Sequence, residues 1–333
     1  MQKHIAFDGM SQQAVFGAFD VNLKAIEKAL SVSIVSRDGG IDISGESEER
    51  ICQTVNTLEA LKAIHDHGEP INDITVGSVL DSVRTGDTDS AVAATRDTVA
   101  ITYRGQPIKC RTVGQKRFIE TLKKSTITIC IGPAGTGKTF LAAATAVTAF
   151  RNKEVDRIVL TRPAVEAGEK LGFLPGDLQS KVDPYLRPLY DALYDLLGTE
   201  KVKDYMERGA IEIAPLAYMR GRTLNNSYVL IGEAQNITLS SLKMALTRLG
   251  AGSKMILTGD VTQIDLGDGQ ESGLAKCAQM LSDIEGIGIT HLNNADVVRH
   301  RLVQEIVKAF EKDEATPKKG KTSARPYQKP FYR

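Results

Sequence analysis

The sequence predicts an α/β protein whose main domain contains a mostly parallel sheet flanked by helices. Between residues 111 and 312, short runs rich in β-branched residues alternate with segments of helical periodicity. Such nearly continuous apolar runs are typical of strands that are buried on both faces, as in parallel sheets. A glycine-rich loop joins one of these runs directly to a helical segment. The composition, with 42% hydrophobic and 25% charged residues, is that of a globular chain rather than a disordered or fibrous one.

A smaller α/β domain is predicted over residues 1–85. Apolar residues follow a helical spacing up to Leu30, and two short strands around a Gly-Gly turn come next. Helical periodicity then returns from Glu48 to His67. This order suits a compact RNA-binding fold of the KH type, although the GxxG loop of that fold is absent. Residues 86–110 are small, polar and turn-rich, so we expect a linker there.

The main domain, residues 111–312, is expected to contain short apolar strands separated by helical segments. The candidate strands are the segments 126–131, 157–161, 211–214, 228–231, 254–258 and 287–290. No repeat of fixed period is evident.

Charge and cysteine content exclude several classes of protein. Lys and Arg total 42 against 41 Asp and Glu, so the chain as a whole is not a polyelectrolyte. The four cysteines are scattered with no CxxC pair, which excludes a zinc ribbon and disfavours a disulfide scaffold. No apolar run reaches the roughly 18 residues of a membrane helix, and the N-terminus lacks the pattern of a secretory signal. We therefore expect a soluble, cytoplasmic protein.

The C-terminal segment, residues 313–333, is predicted to be a disordered basic tail. From Pro317 onward it contains six Lys or Arg, three aromatic residues, three prolines and no acidic residue. One interpretation is an arm that contacts nucleic-acid phosphates and stacks its rings on bases. The alternative is a solvated basic tail that aids solubility.

A phosphate-binding loop is predicted where the first strand of the main domain meets the next helix. Residues 132–139 read GPAGTGKT and fit the pattern G-x-x-x-x-G-K-[ST]. Glycines let backbone N–H groups turn inward, and with the helix N-terminus these groups form a cradle for anions. Lys138 is expected to reach the β- and γ-phosphates, and the Thr139 hydroxyl to bind Mg²⁺. The residues of this loop predicted to bind the nucleoside triphosphate are Gly132, Pro133, Ala134, Gly135, Thr136, Gly137, Lys138 and Thr139.

Two further strand ends carry residues suited to triphosphate hydrolysis. P-loop NTPases usually place an Asp for Mg²⁺ and a Glu that polarises water after a second buried strand. Here the fourth predicted strand is followed by Gly232 and Glu233, so Glu233 is in place for water activation and the metal-side position is a glycine. The fifth predicted strand is followed by Asp260 and Gln263, which are expected to approach the γ-phosphate. Asp260 is the candidate for a partial substitute as metal ligand.

Taken in order, these motifs resemble those of the PhoH family, single-motor relatives of superfamily one helicases. The resemblance runs from about Gly114 to Phe310 and includes the stretches IGPAGTGKT, LTRPAVEAGEKLGFLPGDL, EAQN, GDVTQIDL and DVVRH. It implies a RecA-like P-loop domain that binds and hydrolyses ATP with Mg²⁺, a ring-like homo-oligomer and a link to RNA metabolism. The first domain also resembles the KH-like N-terminal part of longer family members. A partner in RNA processing or ribosome maturation is a further implication.

The resemblance also implies roles for residues outside the loop. Gln115 resembles the helicase glutamine that reads the adenine edge. Arg162 and Glu166 match a helicase segment that couples the nucleotide to nucleic acid, so Arg162 is a candidate RNA contact. Arg220 and Arg222 are candidates for contacts with RNA phosphates, and solvated loop arginines are the alternative.

An arginine finger is implied as well. Arg299 resembles one, and would stabilise charge on the transferring phosphoryl group, with Arg248 as the alternative. Superfamily one helicases build their site between two motor domains, and this chain has the length for one. The second wall is therefore expected from another subunit, and head-to-tail contacts that close form a ring. The residues expected to act in catalysis are Lys138, Glu233, Gln263 and Arg299.

One position departs from the family pattern, which has Asp where this chain has Gly232. Glycine offers no carboxylate to the hydration shell of Mg²⁺, so we expect nucleotide binding with slow hydrolysis. Two interpretations stay open: an ATP-driven RNA remodelling enzyme, and an ATP-binding switch or scaffold with weak hydrolysis. A nuclease is disfavoured, because the sequence offers no convincing separate site of paired carboxylates or histidines.

Overall fold

The computed structural model describes residues 1–163 and 178–298 apart from Asp38, Thr85, Asp87 and Asp268, together with the isolated positions 302, 303, 306 and 310. The side chains of Ser90 and of residues 178–185 lie outside this description. The chain divides into two units, and the first of them, Met1–Val298, is compact. The helices and strands given below all belong to the first unit.

The chain begins with a three-stranded antiparallel sheet covered by helices. Its elements in chain order are β1 (Gln2–Ala6), α1 (Gly9–Phe16), α2 (Val21–Leu30), β2 (Val32–Arg37), β3 (Gly40–Gly45) and α3 (Glu48–Asp66). β3 lies between β1 and β2. Ile41 and Ile43 on β3 are fully buried against Leu58 and Leu61 of α3, so this helix covers one face of the sheet. The predicted strand–turn–strand and helix are confirmed, and β1 is an additional strand whose mostly exposed side chains leave no apolar signal in the sequence.

Two helices and a β-ribbon follow this sheet. They are α4 (Asp73–Arg84), α5 (Thr88–Ala94), β4 (Thr98–Ile101) and β5 (Pro107–Lys109), and the two strands pair antiparallel. The segment 86–110, which the sequence predicts as a turn-rich linker, therefore contains regular secondary structure. Its small residues explain the difference, because Ala94 and Ala100 are buried in a core where close packing requires small side chains.

A six-stranded parallel sheet forms the centre of the main domain. Its strands are β6 (Ile127–Ile131), β7 (Arg157–Arg162), β8 (Ile211–Pro215), β9 (Ser227–Ile231), β10 (Lys254–Gly259) and β11 (Ile287–His291). They lie in the order β11-β6-β10-β9-β7-β8, and every neighbouring pair is parallel. All six predicted strands are present with ends that differ by at most one residue, so the α/β prediction is confirmed.

Helices cover both faces of this sheet. They are α6 (Val113–Lys124), α7 (Lys138–Arg151), α8 (Leu178–Leu197), α9 (Thr199–Glu207), α10 (Leu239–Leu246) and α11 (Leu274–Leu281). In β9, Tyr228 and Leu230 join the core formed with α6, α7 and α8, whereas Val229 and Ile231 join the core formed with α10 and α11. Side chains alternate along a strand, so the two cores lie on opposite faces. No helix in the described ranges has both the length and the apolar character needed to cross a bilayer.

The parallel arrangement brings three strand ends to the same edge of the sheet. Gly132, Gly232 and Asp260 directly follow β6, β9 and β10. Because β10 lies between β6 and β9, these three positions are neighbours at the carboxyl edge, where open α/β sheets bind their ligands.

Candidate nucleotide-binding site

The loop between β6 and α7 depends on glycine at several positions. The backbone angle φ is +85° at Gly135 and +76° at Gly137, a region that residues with a Cβ rarely adopt. A Cβ at Gly132 would lie 2.7 Å from the Cβ of Leu292, so the chain after β11 approaches the loop closely. The loop leads into α7 at Lys138, and the unpaired N–H groups at a helix N-terminus favour an anion.

The side chain of Lys138, the first residue of α7, reaches back into the loop that precedes the helix. Its Nζ donates hydrogen bonds to the carbonyl oxygens of Gly132 at 2.6 Å and Pro133 at 2.7 Å. The Thr136 hydroxyl donates to the same Pro133 oxygen at 2.9 Å. The ammonium group is therefore held where a phosphate chain in the loop would meet it.

A cavity of about 280 Å³ lies beside the loop, where the phosphates of a nucleotide are expected, and we call it the phosphate-side cavity. Glu233, Asp260 and Gln263, from the ends of β9 and β10, line it together with loop residues and Thr139. The structure thus brings together the loop and three of the residues that the sequence predicts for catalysis or metal binding. Their proposed roles stay predictions.

Glu233 has a strained backbone and a fixed carboxylate. Its φ is +51°, a left-handed conformation that is uncommon for a residue with a side chain and is frequent at functional sites. The carboxylate accepts a hydrogen bond from Gln235 Nε2 at 2.7 Å, and its other oxygen lies 3.7 Å from a guanidinium nitrogen of Arg162. Two side chains therefore orient Glu233 towards the cavity edge.

Gln235 is the residue of this site that sequence reasoning missed. Besides Glu233, its Nε2 donates to the carbonyl oxygen of Gln263 at 3.0 Å, and its Oε1 accepts from the backbone N–H of Asp260 at 3.0 Å. The side chain is 1% exposed, so it links the ends of β9 and β10 from inside the protein. The signal that could have found it is its place in the EAQN stretch, two residues after Glu233.

Asp260 braces the phosphate-binding loop. Its Oδ2 accepts a hydrogen bond from the backbone N–H of Ala134 at 2.8 Å, and its Oδ1 accepts from the N–H and hydroxyl of Thr262 at 3.0 and 2.6 Å. The residue is 5% exposed. Both carboxylate oxygens thus accept hydrogen bonds from protein donors, and the predicted use of Asp260 as a metal ligand stays a prediction.

The donors around the cavity do not fit a Mg²⁺ site completed by the protein. Thr139 offers a hydroxyl, which lies 3.4 Å from the hydroxyl of Thr258, and Gly232 offers no side chain. Within the described part of the chain, no group of three or more His, Cys, Asp or Glu side chains is placed to hold a metal ion. Thr139 therefore stays a candidate ligand, with Glu233 and Asp260 as the carboxylates that line the same cavity, and we assign no chemical step to a bound ion.

Nothing in the backbone requires glycine at position 232. Gly232 lies outside the left-handed region, and a Cβ built there would approach no atom closer than 4.0 Å, with Leu189 Cδ2 and the Thr161 carbonyl oxygen nearest. Its N–H donates to that same Thr161 oxygen at 2.9 Å. A Cβ could therefore be added at this buried position without displacing its neighbours.

Gln115 lies beside the phosphate-binding loop, on the side away from Glu233. Its Nε2 donates to the Thr136 carbonyl oxygen at 3.1 Å, and its Oε1 accepts from the Arg111 N–H at 2.7 Å. These bonds use one of its two amide N–H groups and one of its acceptor sites. Gln115 can thus support the loop and still meet a base, and its predicted role in reading adenine stays a prediction.

The segment that leads towards Arg299 is attached to the same loop. Thr112, which caps α6, donates to the Asp296 carboxylate at 2.6 Å, and the Val298 N–H donates to the Gly135 carbonyl oxygen at 2.9 Å. Arg299 itself lies outside the described residues, as do Glu166 and the tail 313–333.

The candidate RNA-binding arginines have different surroundings. Arg222 forms a bidentate ion pair with Glu212, at 2.5 and 2.7 Å, which lowers the pKa of that carboxyl from its ordinary value. Arg162 lies next to Glu233 rather than at a separate surface. Arg220 is exposed and follows the half-exposed ring of Tyr218, an aromatic neighbour that the sequence analysis did not single out.

Arg248, the alternative finger, lies at the end of α10. Its Nε donates to the Met244 carbonyl oxygen and its Nη1 to that of Arg222, both at 3.1 Å. These bonds tie the end of the helix to the loop before β9, which is a structural use of the guanidinium.

The fold and site together define a class of protein. A phosphate-binding loop joins an inner strand of a parallel sheet to a helix. A glutamate, an aspartate and a glutamine that follow the next two strands on one side of it in the sheet line the same cavity. This is the arrangement of a P-loop nucleotide-binding protein of the ATPase type.

Comparison with known proteins identifies the family. A family model described as "PhoH-like protein" matches residues 107–311, and the chain belongs to the PhoH family. A PhoH-like protein of Synechocystis sp. is 49% identical over 303 residues, which cover 91% of this chain and 92% of that protein. A PhoH-like protein of Bacillus subtilis is 48% identical over 300 residues, covering 90% and 93%. The protein PhoH of Escherichia coli K12 is 43% identical over 206 residues, covering 61% and 58%.

Proposed function

We propose that this chain binds and hydrolyses ATP in RNA metabolism as part of a homo-oligomeric ring. The observation that carries the proposal is the shared cavity in which the phosphate-binding loop meets Glu233 and Gln263. Membership of the PhoH family supports an ATPase-like protein.

The geometry of the site supports a division of roles among its residues. Backbone N–H groups of the loop and of the start of α7 would bind the phosphates, with the Lys138 ammonium neutralising their charge. Glu233 would act as general base for the attacking water, since Gln235 and Arg162 already orient its carboxylate. Gln263 would lie near the γ-phosphate. The presence or loss of that phosphate would then change the contacts made at the end of β10.

The RNA part of the proposal rests on surface chemistry. Arg220 and Tyr218 present a cation and an aromatic ring to solvent after β8, which suits contacts with phosphates and stacked bases. The basic tail supplies further cations. An arginine finger such as Arg299, supplied between subunits, would complete the catalytic site, and a ring gives each site such a neighbour.

A second candidate function is a nucleotide-gated switch or scaffold. Two observations favour it: Gly232 provides no carboxylate, and both oxygens of Asp260 accept hydrogen bonds from the protein. In that case ATP occupancy would order the assembly with little turnover.

One experiment separates these functions. ATP hydrolysis by the purified chain is measured with Mg²⁺, with and without single-stranded RNA, and ATP binding is measured separately on the same samples. Turnover that RNA stimulates, and that Lys138→Ala abolishes, is the expected result for a motor. Binding without turnover would instead identify the switch, and absence of ATP binding would contradict both.

A further inference from the structure

A second cavity lies on the other side of the phosphate-binding loop. Its volume is about 530 Å³, within the range of sites that enclose small ligands. It shares Gly135, Gly137 and Phe140 with the phosphate-side cavity, and it also contains Gln115. A nucleotide whose γ-phosphate faces Glu233 must direct its nucleoside away from that residue, and this cavity is the adjoining space.

We call this second cavity the nucleoside cavity. Its wall opposite the phosphate-binding loop does not come from the parallel sheet or its helices. Ile64 at the end of α3, Glu69 and Asn72 in the connection to α4, and Lys109 of β5 all line it. The N-terminal elements therefore face the loop and Gln115 across the space that a base would fill. No role in nucleotide binding is predicted for these residues from their sequence pattern.

Glu69 and Lys109 give this wall a specific chemistry. Their side chains are 25% and 23% exposed and form an ion pair across 40 residues of chain. A carboxylate accepts hydrogen bonds from an exocyclic amine, and an ammonium group donates to a ring nitrogen. Adenine carries an exocyclic amine and an acceptor ring nitrogen side by side on one edge. Asn72 is used differently, because its Oδ1 accepts from the N–H and hydroxyl of Thr75 at 3.0 and 3.1 Å at the start of α4.

We propose that Glu69 and Lys109 recognise the adenine base, so that the N-terminal elements form one wall of the nucleoside pocket. The proposal rests on the proposed nucleotide binding and adds the residues that read the base. One consequence is that the nucleoside, and not the phosphate chain, couples site occupancy to the N-terminal elements. Hydrogen bonds to charged side chains are among the stronger ones in proteins, so losing one should be measurable.

The test compares ATP with inorganic tripolyphosphate, which carries the phosphate chain without a nucleoside. Dissociation constants of both ligands are measured on the full chain and on the variants Glu69→Gln and Lys109→Met. We expect each variant to weaken ATP binding by about tenfold or more, the loss of one hydrogen bond to a charged group. Tripolyphosphate binding should stay within about twofold of wild type, because its site is the loop alone.

A matched control removes another ion pair of the N-terminal elements. Lys62 and Asp8 lie 3.2 Å apart, and neither lines the nucleoside cavity. Lys62→Met should leave the affinity for both ligands unchanged. Equal losses for ATP and tripolyphosphate in the Glu69 and Lys109 variants would show a merely structural role, and unchanged ATP binding would show no contact with the base; either result overturns the proposal.

Hydrogen exchange on the wild-type chain gives an independent readout. ATP, compared with tripolyphosphate, should slow amide exchange in the β4–β5 ribbon and in residues 64–75. Equal protection by the two ligands would contradict the coupling. Failure of the wild type to bind either ligand would instead refute the proposed nucleotide binding itself, and with it this inference.

Discussion

Replacement of Gly232 by aspartate tests whether a missing carboxylate limits ATP hydrolysis. The position follows β9, next to Glu233, where P-loop NTPases hold Mg²⁺ with an aspartate. Space is available, because a Cβ at Gly232 would approach no atom closer than 4.0 Å, and the backbone lies outside the left-handed region. Gly232→Asp should therefore fold and bind ATP.

The expected magnitudes have opposite signs for stability and for rate. The new carboxylate would be buried beside the like charge of Glu233, so the free energy of unfolding without nucleotide should fall by about 1–3 kcal/mol. Arg162, 3.7 Å from Glu233, offsets part of this repulsion. The rate should rise, because one electrostatic element of a catalytic site commonly contributes about 2.7–4 kcal/mol, or a hundred- to thousandfold.

The assay is steady-state ATP hydrolysis at saturating ATP and Mg²⁺, with thermal unfolding measured on the same samples. Gly232→Asn is the matched control, since it adds a side chain of the same shape without the charge, and it should leave turnover near the wild-type rate. A Gly232→Asp protein that is folded, binds ATP and hydrolyses it no faster than wild type would refute the reasoning. Another group would then hold the ion.

Three further outcomes follow from contacts elsewhere in the structure. Gly114→Ala should destabilise the protein by about 1–3 kcal/mol in urea unfolding, because a Cβ there would clash with both carboxylate oxygens of Asp296; an unchanged midpoint would contradict that close approach. Arg220→Ala should weaken the binding of labelled single-stranded RNA several-fold and leave stability within about 0.5 kcal/mol. Arg222→Ala should instead lower stability and leave RNA binding unchanged, since it breaks an internal ion pair. A thiol reagent should label one cysteine per native chain at pH 8, the exposed Cys52, because the other three thiols are buried; a rapid reaction that survives Cys52→Ser would contradict this.

The fold could be predicted because its signals are local. Each strand of the parallel sheet is a short apolar run, and the phosphate-binding loop has a fixed spacing of Gly, Lys and Thr. The strand β1 and the β4–β5 ribbon were not predicted. Edge strands with exposed side chains carry no apolar pattern, and small alanines resemble a linker until their burial is seen.

The candidate site could be predicted only in part, because its second layer is built from contacts distant in sequence. Ala134 and Asp260 are 126 residues apart, and the hydrogen bond between them exists only because β6 and β10 are neighbours in the sheet. In the same way, β9 and β10 are neighbours in the sheet, which lets Gln235 bridge their ends. The sequence motifs identify the residues that can act in catalysis. The strand order is needed to show that Asp260 is the acid that supports the phosphate-binding loop.

This division of the acids predicts that nucleotide binding and hydrolysis can be separated in this chain. Asp260 fixes the loop through the Ala134 N–H, so the phosphate cradle does not depend on position 232. Glu233 is oriented by Gln235 and Arg162, so the candidate base does not depend on it either. A glycine at position 232 therefore removes one carboxylate and leaves both neighbouring functions in place. The expected result is a site that retains affinity for the triphosphate and loses rate, and that loss should be reversible by a single substitution.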